Sequence, residues 1–126
     1  MNKTVLKIPY PKTAAGKRQW SREYGLNAIY AGKHWTKRQK DSQYWHALVK
    51  EQLQEQNIAK KPFERPVRIV FSWNSRLDID NEAYKRKLII DALKGWVIYD
   101  DTKRYVRELA DKITNEEYII VEIEEV

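Results

Sequence analysis

Asp78 and Asp80 stand two residues apart in the run Arg76-Leu77-Asp78-Ile79-Asp80-Asn81. In extended chain, residues i and i+2 project to the same side, so the spacing aims both carboxylates at one point. Two unit charges of like sign repel by roughly 4 kcal/mol at 4 Å and intermediate dielectric. A positive group between them is needed for both to ionise. A divalent cation meets that need, and hard oxygen ligands suit Mg²⁺, which is held by a few carboxylates with water and substrate phosphate completing its shell. Mn²⁺ accepts the same ligands and is expected to substitute. A second acidic pair, Asp100-Asp101, follows a helical stretch carrying Lys87 and Asp91. At about 100° per residue, Tyr84, Lys87 and Asp91 share one face of that helix, whereas Lys85 points about 160° away from Lys87. Lys87 is therefore the expected site lysine.

Phosphodiester hydrolysis is the chemistry that such a set serves. A positioned acid or base contributes about 10²–10⁴-fold, and the slowest phosphate reactions demand far more. A bound divalent cation can activate water, polarise the phosphoryl oxygen and neutralise the leaving oxygen, with a lysine steadying the added charge. Taken singly, each motif also reads as plain structure. Asp-x-Asp-Asn before a helix is good turn and cap chemistry, and so is Asp100-Asp101 before Thr102. Asp91 can form an ordinary surface pair with Lys87 or Lys94. The ordered combination is harder to explain that way.

The basic residues suggest what is brought to the acids. Through Arg65 the chain carries 14 Lys and Arg against 5 Asp and Glu, so the net charge of +6 belongs to the first half. Lys12, Lys17, Arg18, Arg22, Lys33, Lys37, Arg38 and Lys40 are interleaved with Trp20, Tyr24, Tyr30, His34 and Trp35. Phosphate contacts favour Lys and Arg, and exposed aromatics can stack on unpaired bases. Lys17, Arg18, Lys33, Trp35, Lys37, Arg38 and Lys40 are the expected DNA contacts, and Arg76, beside the acids, is placed to grip a scissile phosphate. Solubility and core anchoring would explain the same residues without DNA. His34 and His46 are too few and too separated for zinc. Trp45, Trp73 and Trp96 are expected in the core.

The elements that must position these residues follow from pattern. At 126 residues with no cysteine, the chain fits one domain, 1–126, without disulfide or thiolate-metal staples. Thr4 to Ile8 reads as a strand ended by Pro9 and Pro11. The stretch from Lys12 to Trp35 shows no period and reads as a long surface loop. Thr36 can cap a helix to about Gln56, with Trp45, Leu48, Val49 and Leu53 on one stripe. Val67, Ile69, Phe71 and Trp73 alternate with polar positions, marking a strand with one buried face. A second helix is expected from about Asn81 to Lys94, ended by Gly95. Strands follow at Arg104 to Ile113 and Glu117 to Glu125. The order is β-α-β-α-β-β, a small α+β fold with helices packed on a mixed sheet. No apolar run approaches the ~20 residues that cross a bilayer, and the N-terminus lacks a signal-peptide core, so no membrane partner and a cytoplasmic location are expected.

Asp78-Ile79-Asp80-Asn81, then Lys87, then Asp91-Ala92-Leu93 with Gly95, and finally Asp100-Asp101, resemble the RusA-type Holliday junction resolvases, small Mg²⁺-dependent endonucleases often carried by prophages. The motif core covers about a quarter of the chain. The resemblance implies that Asp78, Asp80 and Asp101 bind the metal and act in catalysis with Lys87. Asn81, Asp91 and Asp100 would support them from behind. It also implies a homodimer that nicks four-way DNA junctions symmetrically. One position departs: the family's lysine lies one helical turn after the second Asp, where this chain has Tyr84, and Lys87 lies three residues further on. A non-catalytic DNA-binding module, or the same chemistry on flaps, single strands or RNA, would fit the residues too.

Overall fold

The structure is a computed structural model that describes residues 2–126. Strands β1 (Lys3–Pro9), β2 (Val67–Trp73), β3 (Val106–Ile113) and β4 (Tyr118–Glu125) form one mixed sheet in the order β1-β4-β2-β3. β4 runs antiparallel to both β1 and β2, and β3 runs parallel to β2. Parallel neighbours need a crossover, and the helix α4 (Ala83–Leu93) supplies it. The remaining helices, α1 (Ala14–Glu23), α2 (Leu26–Tyr30) and α3 (Trp35–Glu55), all precede β2. The chain is α+β, as its pattern of elements requires.

Alternation sets the sheet's inner face. Leu6, Val121 and Phe71 stand opposite one another across three strands, and Ile8 pairs with Ile119. All are fully buried. β2 is central, and its second face is shielded as well: Val70 and Ser72 are buried, where the alternation implies a single buried face. On α3, Trp45, Val49 and Leu53 are buried at i, i+4 and i+8, the expected stripe, with Leu48 half-buried beside them. Trp73 is fully buried, while Trp96 is only partly so and donates from Nε1 to the Ile58 carbonyl at 2.9 Å. α4 lies against α3 and is buried nearly all round. Gly95, at φ +81°, ends it in the left-handed region that a side chain would resist.

Three expectations give way. The stretch from Lys12 to Trp35 is not a loop, because it contains α1 and α2. α1 buries only one residue of its own, Trp20, with Tyr24 just past its end, so its period is too thin to read. Its signal is the cap, Thr13, whose Oγ1 accepts from the Gly16 N–H at 2.9 Å. α3 begins two residues earlier than expected, because His34 rather than Thr36 caps it: Nδ1 accepts from the Thr36 N–H at 3.2 Å. The second predicted helix divides into a 3₁₀ turn (Ile79–Glu82) and α4. Asn81 is accordingly no helix cap; its Oδ1 accepts from the Asn27 N–H at 3.1 Å and ties α2 to the turn.

Two buried ion pairs hold this helical layer in place. Lys33 Nζ lies 2.5 Å from Asp41 Oδ2, donates to the Glu23 carbonyl at 2.7 Å and sits over the rings of Tyr24 and Tyr84. The Tyr84 hydroxyl donates to the same carboxylate at 2.7 Å, and burial first, then that carboxylate, pushes its pKa up. Lys85 Nζ contacts Glu82 Oε2 at 3.2 Å and donates to the Ser21 carbonyl at 3.1 Å, so α4 is bonded to α1. Burial lowers the Lys85 pKa, and Glu82 opposes that shift. Removing one partner of such a pair strands the other, at about 3–5 kcal/mol. Asp41→Ala is therefore expected to lower the unfolding free energy by about 3 kcal/mol or more in urea melts; a loss under about 1 kcal/mol, the scale of a surface pair, would contradict the pinning role.

Candidate active site

Asp78 enters the 3₁₀ turn in extended conformation, and Asp80 lies within it. Both are exposed, and they line one cleft of about 470 Å³ with Tyr30, Asn81, Arg86 and Asp111. Neither carboxylate caps the turn, and among the described residues neither enters an ion pair. Plain cap chemistry therefore does not explain these two acids. Exposed to water, they need no partner within the protein.

Arg86 is the cation of this cleft, and it is committed. Its guanidinium pairs with Asp111 Oδ2, while Asp111 Oδ1 accepts from Trp73 Nε1 at 3.0 Å. Both Arg86 and Asp111 are missed by the sequence reading. The one cue was an acid at Asp111 in an otherwise strand-like run, opposite Phe71 in the parallel ladder.

A neighbouring cleft of about 330 Å³ shares Ala83 and Arg86 with the first and is lined by Lys87, Asp91, Asp101 and Leu109. Here the acids already have a cation. Lys94 Nζ reaches Asp91 Oδ1 and Asp101 Oδ2 at 3.2 Å each and Asp100 Oδ1 at 3.8 Å. Asp100 Oδ1 also accepts from the Asp101 N–H at 2.9 Å, a local turn bond. Lys87 lies on the exposed face with Asp91, as helical phase requires, 3.6 Å from Asp91 Oδ2 with a side chain 71% exposed. Lys85 points inward, away from both clefts.

The expected trio of Asp78, Asp80 and Asp101 is thus divided between adjacent clefts. Among the described residues, no three acidic or histidine side chains stand together as a metal cage. The donor chemistry of Asp78 and Asp80 still fits Mg²⁺, which is commonly held by one or two carboxylates plus water and substrate phosphates rather than by an all-protein cage.

The basic residues separate into groups. Lys17, Arg18 and Arg22 line a third cleft with Arg76 and Leu77, the residue that precedes Asp78 in the chain. Lys37, Arg38 and Lys40 are exposed on the first turns of α3, and Trp35 is exposed against His34. Lys33, in contrast, is enclosed by its contacts with Asp41 and the Glu23 carbonyl. Trp20 and Tyr24 belong to the core. No family model matches the chain, and no curated protein matches it.

The acid group around Lys94 has a pH signature. Slight burial works against the Asp101 carboxylate, but the hydrogen bond and charge of Lys94 outweigh it and hold the Asp101 pKa below the ordinary aspartate value. For Lys94 the same burial opposes the charge, and Asp91 and Asp101 outweigh it and raise the pKa. A lowered folded pKa contributes stability above the unfolded aspartate value that is lost as pH falls through the folded one. A raised lysine value contributes stability that is lost only as pH rises through it. Lys94→Met is expected to return the Asp101 carboxyl to its ordinary range in a carbon NMR titration, and the stability gap to wild type should narrow in acid. An unchanged Asp101 titration would refute the linkage.

Proposed function

We propose that the protein is a Mg²⁺-dependent endodeoxyribonuclease that resolves four-way DNA junctions as a homodimer. The observation that carries the reading is the pair Asp78 and Asp80, exposed in one cleft and, among the described residues, without an ion-pair partner, with the equally unpaired Arg76 two residues before Asp78 in the chain. Those features match the motif order that resembles the RusA-type resolvases. When bound, Mg²⁺ would supply an activated water and charge neutralisation at the phosphoryl and leaving oxygens.

The chain's own residues divide the remaining work. Asp78 and Asp80 would hold the cation, whose charge would draw a substrate phosphate that the two carboxylates alone would repel. Arg76, exposed two residues before Asp78, binds a neighbouring phosphate oxygen. Arg86 keeps Asp111 neutralised, so the cleft does not become so acidic that it repels the DNA. Asp91, Asp100 and Asp101 hold Lys94 in the adjoining cleft, and Lys87, an exposed side chain paired only with Asp91 at its rim, can turn to meet backbone charge. Asp101 would serve as a third ligand only if Lys94 released it. The exposed cations Lys37, Arg38 and Lys40 and the exposed Trp35 supply further phosphate and base contacts. Two copies related by a twofold axis would place two sites on a symmetric junction.

Asp80→Asn, and separately Asp78→Asn, should lower Mg²⁺-dependent cutting of a labelled four-way junction at least about a hundredfold, the scale on which one preorganised electrostatic contact acts. Binding in EDTA should persist. Binding without metal-dependent cutting in the wild type would replace the enzyme by a DNA-binding module. Faster cutting of flaps, single strands or RNA at the same salt concentration would move the chemistry to that substrate.

A further inference from the structure

α1 carries Ala14, Lys17, Arg18, Ser21 and Arg22 on one face, at i, i+3, i+4, i+7 and i+8. Facing it is the segment 74–77, which leads from β2 into the turn that holds Asp78. Between the two walls lies a cavity of about 520 Å³, lined by Lys17, Arg18 and Arg22 on one side and by Asn74, Ser75 and Arg76 on the other. Among the described residues, none of these four cations forms an ion pair. The nearby acid of α1, Glu23, lies outside the cavity lining.

Both walls are fixed from behind. Ser21 is held through its carbonyl by the buried Lys85 ammonium. The Asn74 N–H donates to the Tyr10 hydroxyl at 2.9 Å, and Asn74 Nδ2 donates to the Glu116 carbonyl at 2.8 Å. Leu77 Cδ1 comes within 3.8 Å of where a side chain on Gly25 would begin, so the segment packs on the junction between α1 and α2. Lys17 Nζ lies 4.4 Å from the centre of the Tyr10 ring, a cation–π contact that restrains the side chain. A rigid slot rich in unpaired cations, with amide and hydroxyl groups between them, is complementary to a chain of phosphates. It ends one residue from Asp78, so a chain lying in it is delivered to the carboxylates.

We infer that the cavity between α1 and residues 74–77 is the track for the phosphodiester backbone of the nucleic-acid strand to be cut, with Arg22 and Arg76 gripping consecutive phosphates just before Asp78. This rests on the nuclease reading for its orientation, but its test does not depend on cutting. Each phosphate contact removed should reduce the slope of log K against log salt by about 1, and weaken binding alike for every base sequence.

Binding of a fluorescent four-way junction, and of a fluorescent single strand, is measured by anisotropy in EDTA over a series of salt concentrations. The Arg22→Gln/Arg76→Gln protein should show a slope reduced by about 2 on both probes, relative to wild type. Lys60→Gln/Lys61→Gln, altered at the opposite end of β2 from the cavity, should show little change. Thermal melts of all three proteins confirm that they are folded. A slope equal to wild type in the arginine variant overturns the track, as does an equal reduction in the lysine variant. Inorganic pyrophosphate is the third probe: saturable binding that the arginine changes abolish while the oligonucleotide slopes stay unaltered would identify a small-anion pocket and also overturn it. Loss of slope in a protein that never cuts retains the track and rejects the nuclease.

Discussion

Charge taken out of water must find a partner inside the protein, and two such partnerships decide how the halves of this molecule meet. Lys85, on α4, is buried against Glu82 and the Ser21 carbonyl of α1. Lys33, just beyond α2, is buried against Asp41 of α3, which the Tyr84 hydroxyl of α4 also reaches. Neither lysine can withdraw without leaving an unpaired buried carboxylate, a penalty of several kcal/mol. The basic N-terminal layer is therefore locked over the crossover helix, and the acids at the start of that helix lie at the seam between them.

At that seam the acids are sorted by their cations. Lys94 gathers Asp91, Asp100 and Asp101, and Arg86 takes Asp111, whereas Asp78 and Asp80 are left to solvent. Carboxylates that line one cleft repel each other least where water or a counterion screens them. The unpartnered pair is thus the place where an added cation would gain most. The same logic applies with opposite sign on α1 and at Arg76, whose cations are left for an anion to fill.

Much of the framework was legible in the residues. Period-two alternation located β2 and β4 to within a residue, because Val67, Ile69, Phe71 and Trp73 on one and Ile119, Val121 and Ile123 on the other turn alternately into the core. The stripe of Trp45, Val49 and Leu53 marked α3 for the same reason. Helical phase put Lys87 and Asp91 on one face and turned Lys85 the other way, but that face lines the cleft of Lys94 and not the one that holds Asp78 and Asp80, where the site lysine was expected. α1 escaped because its packing is done by aromatics few in number, Trp20 and then Tyr24, with a cap rather than a hydrophobic period to announce it. Arg86 and Asp111 escaped because they are 25 residues apart and meet only through the parallel pairing of β2 with β3 that α4 makes possible.

The sequence by itself determined the α+β class, the strands, the phase of α4 and the close spacing of Asp78 and Asp80, since these depend on periodicities and short separations that the chain carries locally. Only the tertiary structure decided which acids are free. Asp101 went to Lys94, Lys33 was drawn inside, and Arg22 came to face Arg76. The partner of a charge is fixed by distance through space and by access to water, and neither can be read from position along the chain.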